Sequence, residues 1–199
     1  MIASNFLPGA IGWVAIAAGI AGLLGLVFII LFFTIGQPFG TLNDICIGLT
    51  AILSAVLAWM FYSGNQAQSS LLSQAALISA FLGALVVVAG AVLVISGIKG
   101  WFLAGLYMAA GNALIGLWLL GLNYSALSSN PWPHGLAIFG LVTGVIMALG
   151  LLGIPGIFNG VDSQAAASWV VSIGQAGALG YLILFPIWCI LVGRTLLTS

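Results

Sequence analysis

The chain has 199 residues, of which 63% are hydrophobic and 2% charged, and its two basic and two acidic side chains leave no formal net charge. A soluble domain carries roughly 25% charged residues, so this composition cannot make a water-facing surface of normal polarity, and the solvent for most of the chain is lipid. So few charges exclude a nucleic-acid footprint and a polybasic lipid-headgroup patch alike.

A bilayer core asks for about 20 consecutive apolar residues per helix. Six runs qualify, at residues 11–36, 45–63, 71–98, 101–122, 135–158 and 166–193. None has the alternation of a barrel strand, so the predicted fold is all-α: a polytopic bundle of six transmembrane helices forming a single domain over residues 1–199. Helix is expected over more than about three quarters of the chain, because every backbone group in lipid must be satisfied internally.

The first run follows "MIASNFLPGAIGW", which lacks a basic stretch and leads into an apolar run longer than a secretory signal, so it reads as a retained span. Ala18, Gly22 and Gly25 form a small-residue stripe on it, where a second backbone can approach. The second run follows the turn formers of "GQPFGTLND" (36–44) and carries Cys46, Thr50 and Ser54 on one face. The third lies between "SGNQAQSS" (63–70) and "GIKG" (97–100), with Gln74 near one end. The fourth bears a second stripe, Gly105, Ala109, Asn112 and Gly116. An amide in hydrocarbon costs several kcal/mol unless hydrogen-bonded, so Asn112 must face protein or water. Its plain reading is an interhelical hydrogen bond; the sharper one is a substrate or pigment contact.

"NYSALSSNPWPH" (123–134) reads as the next connection, followed by a fifth span with the stripe Gly140, Gly144 and Ala148. Pro131 and Pro133 lack amide hydrogens and bias the residues before them to extended backbone, so Ser129–Pro133 should be non-helical, with the span starting near His134. Trp132 is expected at headgroup depth. His134, the only histidine, reads as an interfacial residue touching water, headgroups or a loop, against the alternative of an axial ligand to chlorophyll or haem. "NGVDSQ" (159–164) leads to the sixth span, where Ser168, Ser172 and Gln175 share a face.

All four charges, Asp44, Lys99, Asp162 and Arg194, sit near the ends of these runs. That disfavours ion-coupled transport, and a retinal protein would need a mid-span lysine. One histidine and two distant cysteines build neither a metal cluster nor a hydrolytic triad. No catalytic or metal-ligating residue is therefore assigned, the chain is read as not an enzyme, and no cofactor is expected beyond structural lipids. Cys46 and Cys189 are placed near opposite membrane faces and so unpaired. Arg194 shares its face with both termini, which leans toward termini in the cytoplasm. Spans three and six both end in glycine before a base ("VLVISGIKG", "WCILVGRT"), and spans two and five are also alike ("GLTAILSAVLA", "GLVTGVIMALG"), as in a three-plus-three inverted repeat.

The stretches "NPWPHGLAIFGLVTGVIMALGLLG" and "FPIWCILVGRTLL" resemble small six-span bacterial membrane proteins of unknown function, over roughly the final third of the chain. The resemblance implies six helices and supplies no activity or ligand residue; the expected location is a bacterial inner membrane, or a photosynthetic or respiratory one. Sparse charge and short loops point to a non-catalytic subunit or scaffold packed among lipids and other transmembrane subunits. The alternative is a small channel or facilitator for a neutral or apolar solute, with Asn112, Ser172 and Gln175 as its binding residues. A pigment-associated protein, on His134, is the third reading.

Overall fold

The computed structural model describes residues 8–64 and 71–198. Of these residues 88% are helical and none is in a strand, as lipid solvation requires. Four spans are single helices: α1 (Pro8–Thr34), α2 (Phe39–Gly64), α3 (Leu71–Ile95) and α4 (Trp101–Ser129). The fifth, His134–Phe158, is α5 (His134–Ala148), a 3-10 segment (Leu149–Gly153) and α6 (Ile154–Phe158). The sixth, Trp169–Thr198, is broken further into α7 (Trp169–Gly174), α8 (Gly177–Leu179), a π turn (Gly180–Leu184) and α9 (Phe185–Thr198). All six are long and apolar enough to cross a membrane.

Each span packs on its neighbours in the chain, and the sixth returns to the first, so the helices form a closed ring. Small residues set the close approaches, because lipid supplies no hydrophobic drive for helix association and backbone proximity replaces it. A Cβ on Gly12 of α1 would come within 2.9 Å of the Gly193 carbonyl oxygen of α9, and Gly22 packs on Pro186 of the same helix. Gly25 faces Cys46 of α2, Gly83 of α3 faces Gly111 of α4, and Gly144 of α5 lies against Gly116 and Leu120 of α4. Gly140 packs on the Asn123 side chain, and the Ala148 amide lies by Gly116. The contacts through Gly12, Gly19, Gly83 and Gly193 are additions to the stripes expected above.

Span ends shift from expectation, span six running over 169–198 rather than 166–193, and the two largest shifts are at the start of α2 and the end of α4. α2 starts at Phe39 rather than 45, directly after Pro38, whose fixed φ suits a helix start. Asn43 and Asp44 therefore lie inside a helix and are buried, instead of sitting in a loop. α4 runs to Ser129 because its polar tail satisfies itself: Asn123, Ser125, Ser128 and Ser129 each donate to a carbonyl three or four residues back. It ends at Asn130 in the left-handed conformation (φ 50°), whose N–H bonds the Ala126 carbonyl. Ser129 is thus helical and the non-helical link is 130–133, with α5 starting at His134. The Trp132 indole turns into the bundle, buried against Phe61 and Trp188, rather than outward to headgroups. The turn at 65–70, and residues 1–7 of the retained-span reading, lie outside the described residues.

The cysteines are unpaired, but not because they sit at opposite faces. Cys46 packs against Gly25, and Ile190, next to Cys189, against Gly19. Those two glycines are six residues apart on α1, about 9 Å along its axis at 1.5 Å per residue. The expected inverted repeat is not matched in helix continuity: α2 and α3 are unbroken, whereas spans five and six are interrupted.

Candidate functional site

The breaks in span six follow from its glycines. Gly174, Gly177 and Gly180 press on the backbone of Gly153, Gly150 and Met147, so span six lies directly against the 3-10 segment of span five. No side chain fits between them, and the π turn that follows re-aims Tyr181. Gln175 and Tyr181 then border a cavity of about 330 Å³ whose other walls are α1, α2 and α4.

α2 contributes Asn43, Asp44 and Ile47, and α4 contributes Gly105, Met108 and Ala109. A Cβ on Gly105 would meet nothing within 4 Å, so this glycine, expected to pack against a helix, opens onto empty space instead, with Ala109 on the same wall. Phe33 and Trp101 line the outer end, in edge-to-face contact with ring centroids 5.6 Å apart. From Trp101 to Ala109 is eight residues, so the cavity reaches about 12 Å along α4. Its outer end lies where α1 ends and α4 begins. In the other half of the ring Trp188 is stacked on Phe185 and meets Trp118 and Trp132 edge-to-face, with ring centroids 6.2 to 6.4 Å apart, and these buried rings fill the interior.

Asp44 is only 4% exposed. Its Oδ1 accepts a hydrogen bond from Asn43 Nδ2 at 3.2 Å, and it makes no ion pair among the described residues. Asn43 is 3% exposed, and its Oδ1 is buried without a hydrogen-bond partner. Tyr181 lines the same cavity from span six. Gln164, on the loop before span six, donates from Nε2 to Gln175 Oε1 at 3.3 Å. That loop is pinned by Asp162, which accepts from the Gly100 and Leu103 amides at 3.1 and 3.0 Å and so meets the unpaired N–H groups and positive end of α4.

Of the four candidate binding residues, only Gln175 lines this cavity. Ser172 is exposed and donates to the Ser168 carbonyl four residues back, outside the cavity lining, while Gln175 caps the same helix in helical conformation. Asn112 is buried but outside the lining, and its Nδ2 donates to Met108 of its own helix at 3.0 Å. The interhelical hydrogen bond expected of it is supplied by Ser79 of α3, which donates to the Leu114 carbonyl of α4. His134 is exposed at the start of α5, away from the cavity. Asn43, Asp44, Gln164 and Tyr181 were not expected at a site. The signal for Asn43 and Asp44 is "PFGTLND": with Pro38 as the helix start, an amide and a carboxylate fall in the second turn of a span.

The fold and composition define the class, a polytopic α-helical membrane protein with a largely apolar cavity, bordered by a few polar side chains, near one end of its bundle. No family model, curated protein or solved structure matches the chain.

Proposed function

We propose that this protein binds a small polar solute in the cavity and passes it across the bilayer as a facilitator or transporter. The observation that supports this most is Asp44, a buried carboxylate without a counter-charge beside an unpartnered amide oxygen. Ionisable groups inside a membrane bundle are costly and mark solute pathways. Interrupted helices bordering such a group add support, since irregular backbone at membrane depth belongs where it lines a cavity. A polar solute replaces the neutral or apolar one expected from Asn112, Gln175 and the inverted repeat. The subunit reading rests on sparse charge and short loops, and the pigment reading on His134, which lies outside the cavity.

The test is reconstitution into liposomes. Uptake of urea, glycerol, ethylammonium and acetate is followed by stopped-flow light scattering, with Gly105→Leu as the blocked control. Uptake of at least one solute faster than in protein-free vesicles, and lost in Gly105→Leu, is the expected result. Rates equal to protein-free vesicles for all four would overturn the reading, and a stable hetero-complex in mild detergent would favour the subunit instead.

A further inference from the structure

We infer that the cavity takes a small organic ammonium ion, its N–H groups bonded to the Asp44 carboxylate that Asn43 holds in place and its carbon body against the aromatic wall. This deepens the solute-binding reading and rests on it. Acceptors at the inner polar wall outnumber donors. On the α2 side the carboxylate of Asp44 only accepts, and it receives a single N–H from Asn43 Nδ2, which leaves its other lone pairs unmet. Across the cavity one N–H of Gln164 Nε2 is engaged with Gln175 Oε1, and Gln175 Nε2 and the Tyr181 hydroxyl are donors, so the demand for donors belongs to the wall that carries Asp44. A ligand matching this wall must therefore bring donors.

Charge narrows the class. Asp44 has no cationic partner among the described residues; Lys99 is exposed, and Arg194 follows Gly193, which packs on Gly12 at the far end of α1. An unpaired buried carboxylate costs several kcal/mol, and a bound cation offsets that cost where an alcohol or amide does not. A carboxylate ligand would add repulsion. The walls favour an organic cation over a metal ion: Trp101, Tyr181 and Phe33 present aromatic surface, which attracts ammonium groups. A hard metal ion asks for about six oxygen ligands, and the described residues hold no cluster of three or more His, Cys, Asp or Glu. At about 330 Å³ the cavity suits an amine of a few carbons.

The experiment is calorimetric titration of the purified full-length protein with n-butylammonium, beside 1-butanol and butyrate as neutral and anionic isosteres and tetramethylammonium as a cation without N–H donors. Saturable binding of n-butylammonium is expected, with the other three weaker by about tenfold or more, the size of a charged hydrogen bond. Asp44→Asn should weaken it by about tenfold or more and Asn43→Ala by a smaller factor. If Asp44→Asn fails to fold, Gly105→Leu, which fills the cavity without touching a packed face, should abolish binding. Equal affinity for 1-butanol, tetramethylammonium or butyrate, or an unchanged affinity in Asp44→Asn, overturns the inference. The two ideas fail separately: urea uptake blocked by Gly105→Leu without amine binding sinks this one alone, and amine binding without any uptake sinks transport alone.

Discussion

Asp44 carries a cost that the rest of the fold sustains: one amide donor for a carboxylate that is 4% exposed. Replacing it by Asn removes an unpaired charge and brings an N–H group of its own beside Asn43 Oδ1. Asp44→Asn should therefore stabilise the ligand-free protein by about 1 to 3 kcal/mol while weakening solute binding, the exchange of stability against function seen at active sites. Thermal unfolding in detergent checks the first half, and a lowered midpoint would contradict it. Glycines divide by the same reasoning. Gly105→Leu meets open space and replaces a poor helix former, so stability should hold or rise by up to about 1 kcal/mol. Gly83→Leu or Gly111→Leu drives a side chain into the facing backbone and should cost more than about 2 kcal/mol. The sequence reading put Gly105 in a packing stripe and singled out neither Gly83 nor Gly111. Which of them touches another helix depends on helix rotation, which the local pattern does not specify.

Among the elements, the loop at 159–168 shows how a surface charge positions the site. Asp162 holds two amides at the start of α4, and two residues later Gln164 reaches Gln175. Asp162→Ala should cost about 1 kcal/mol, and the loss should shrink at high salt because the contact is exposed and partly electrostatic. Asp162→Asn, which keeps an acceptor without the charge, should recover part of the stability and lose the salt dependence. Unfolding midpoints at low and high salt separate the two contributions. Helix ends were the least legible elements. Asn123, Ser125, Ser128 and Ser129 look like loop residues, yet they extend α4 by bonding backward to its own carbonyls. Span six reads as one run of 28 residues, 166–193, and its breaks were marked only by glycines at every third position from 174 to 180. Such spacing is common in continuous spans; it breaks this one because the 3-10 segment of span five lies against it.

On the scale of the whole ring, the cavity occupies one end and an aromatic stack the other. Trp188 is fully buried and touches Trp118, Trp132 and Phe185, so passage of a solute requires these rings to part. Trp188→Ala should open a leak, raising uptake of urea in proteoliposomes above that of the unaltered protein, at a stability cost of about 3 to 5 kcal/mol. Trp188→Leu keeps more of the volume and should show a smaller leak with a smaller cost. Slower urea uptake in both variants would show that the stack does not close the path.

Class, span number and the all-helical backbone followed from the sequence by itself, because lipid as solvent leaves a single economical way to satisfy each N–H and C=O of long apolar runs. The packing of small residues was legible in part, since Gly22, Gly25, Gly140 and Gly144 do face neighbouring helices. Tertiary structure alone decided the site. Asn43, Asp44, Gln164, Gln175 and Tyr181 come from three separate stretches of the chain and meet only because the ring closes between α1 and α9. An isolated helix in lipid has no preferred rotation about its axis apart from its neighbours. Whether a polar residue bonds its own turn, as Asn112 does, or borders a cavity, as Asp44 does, is therefore set by the helices packed around it.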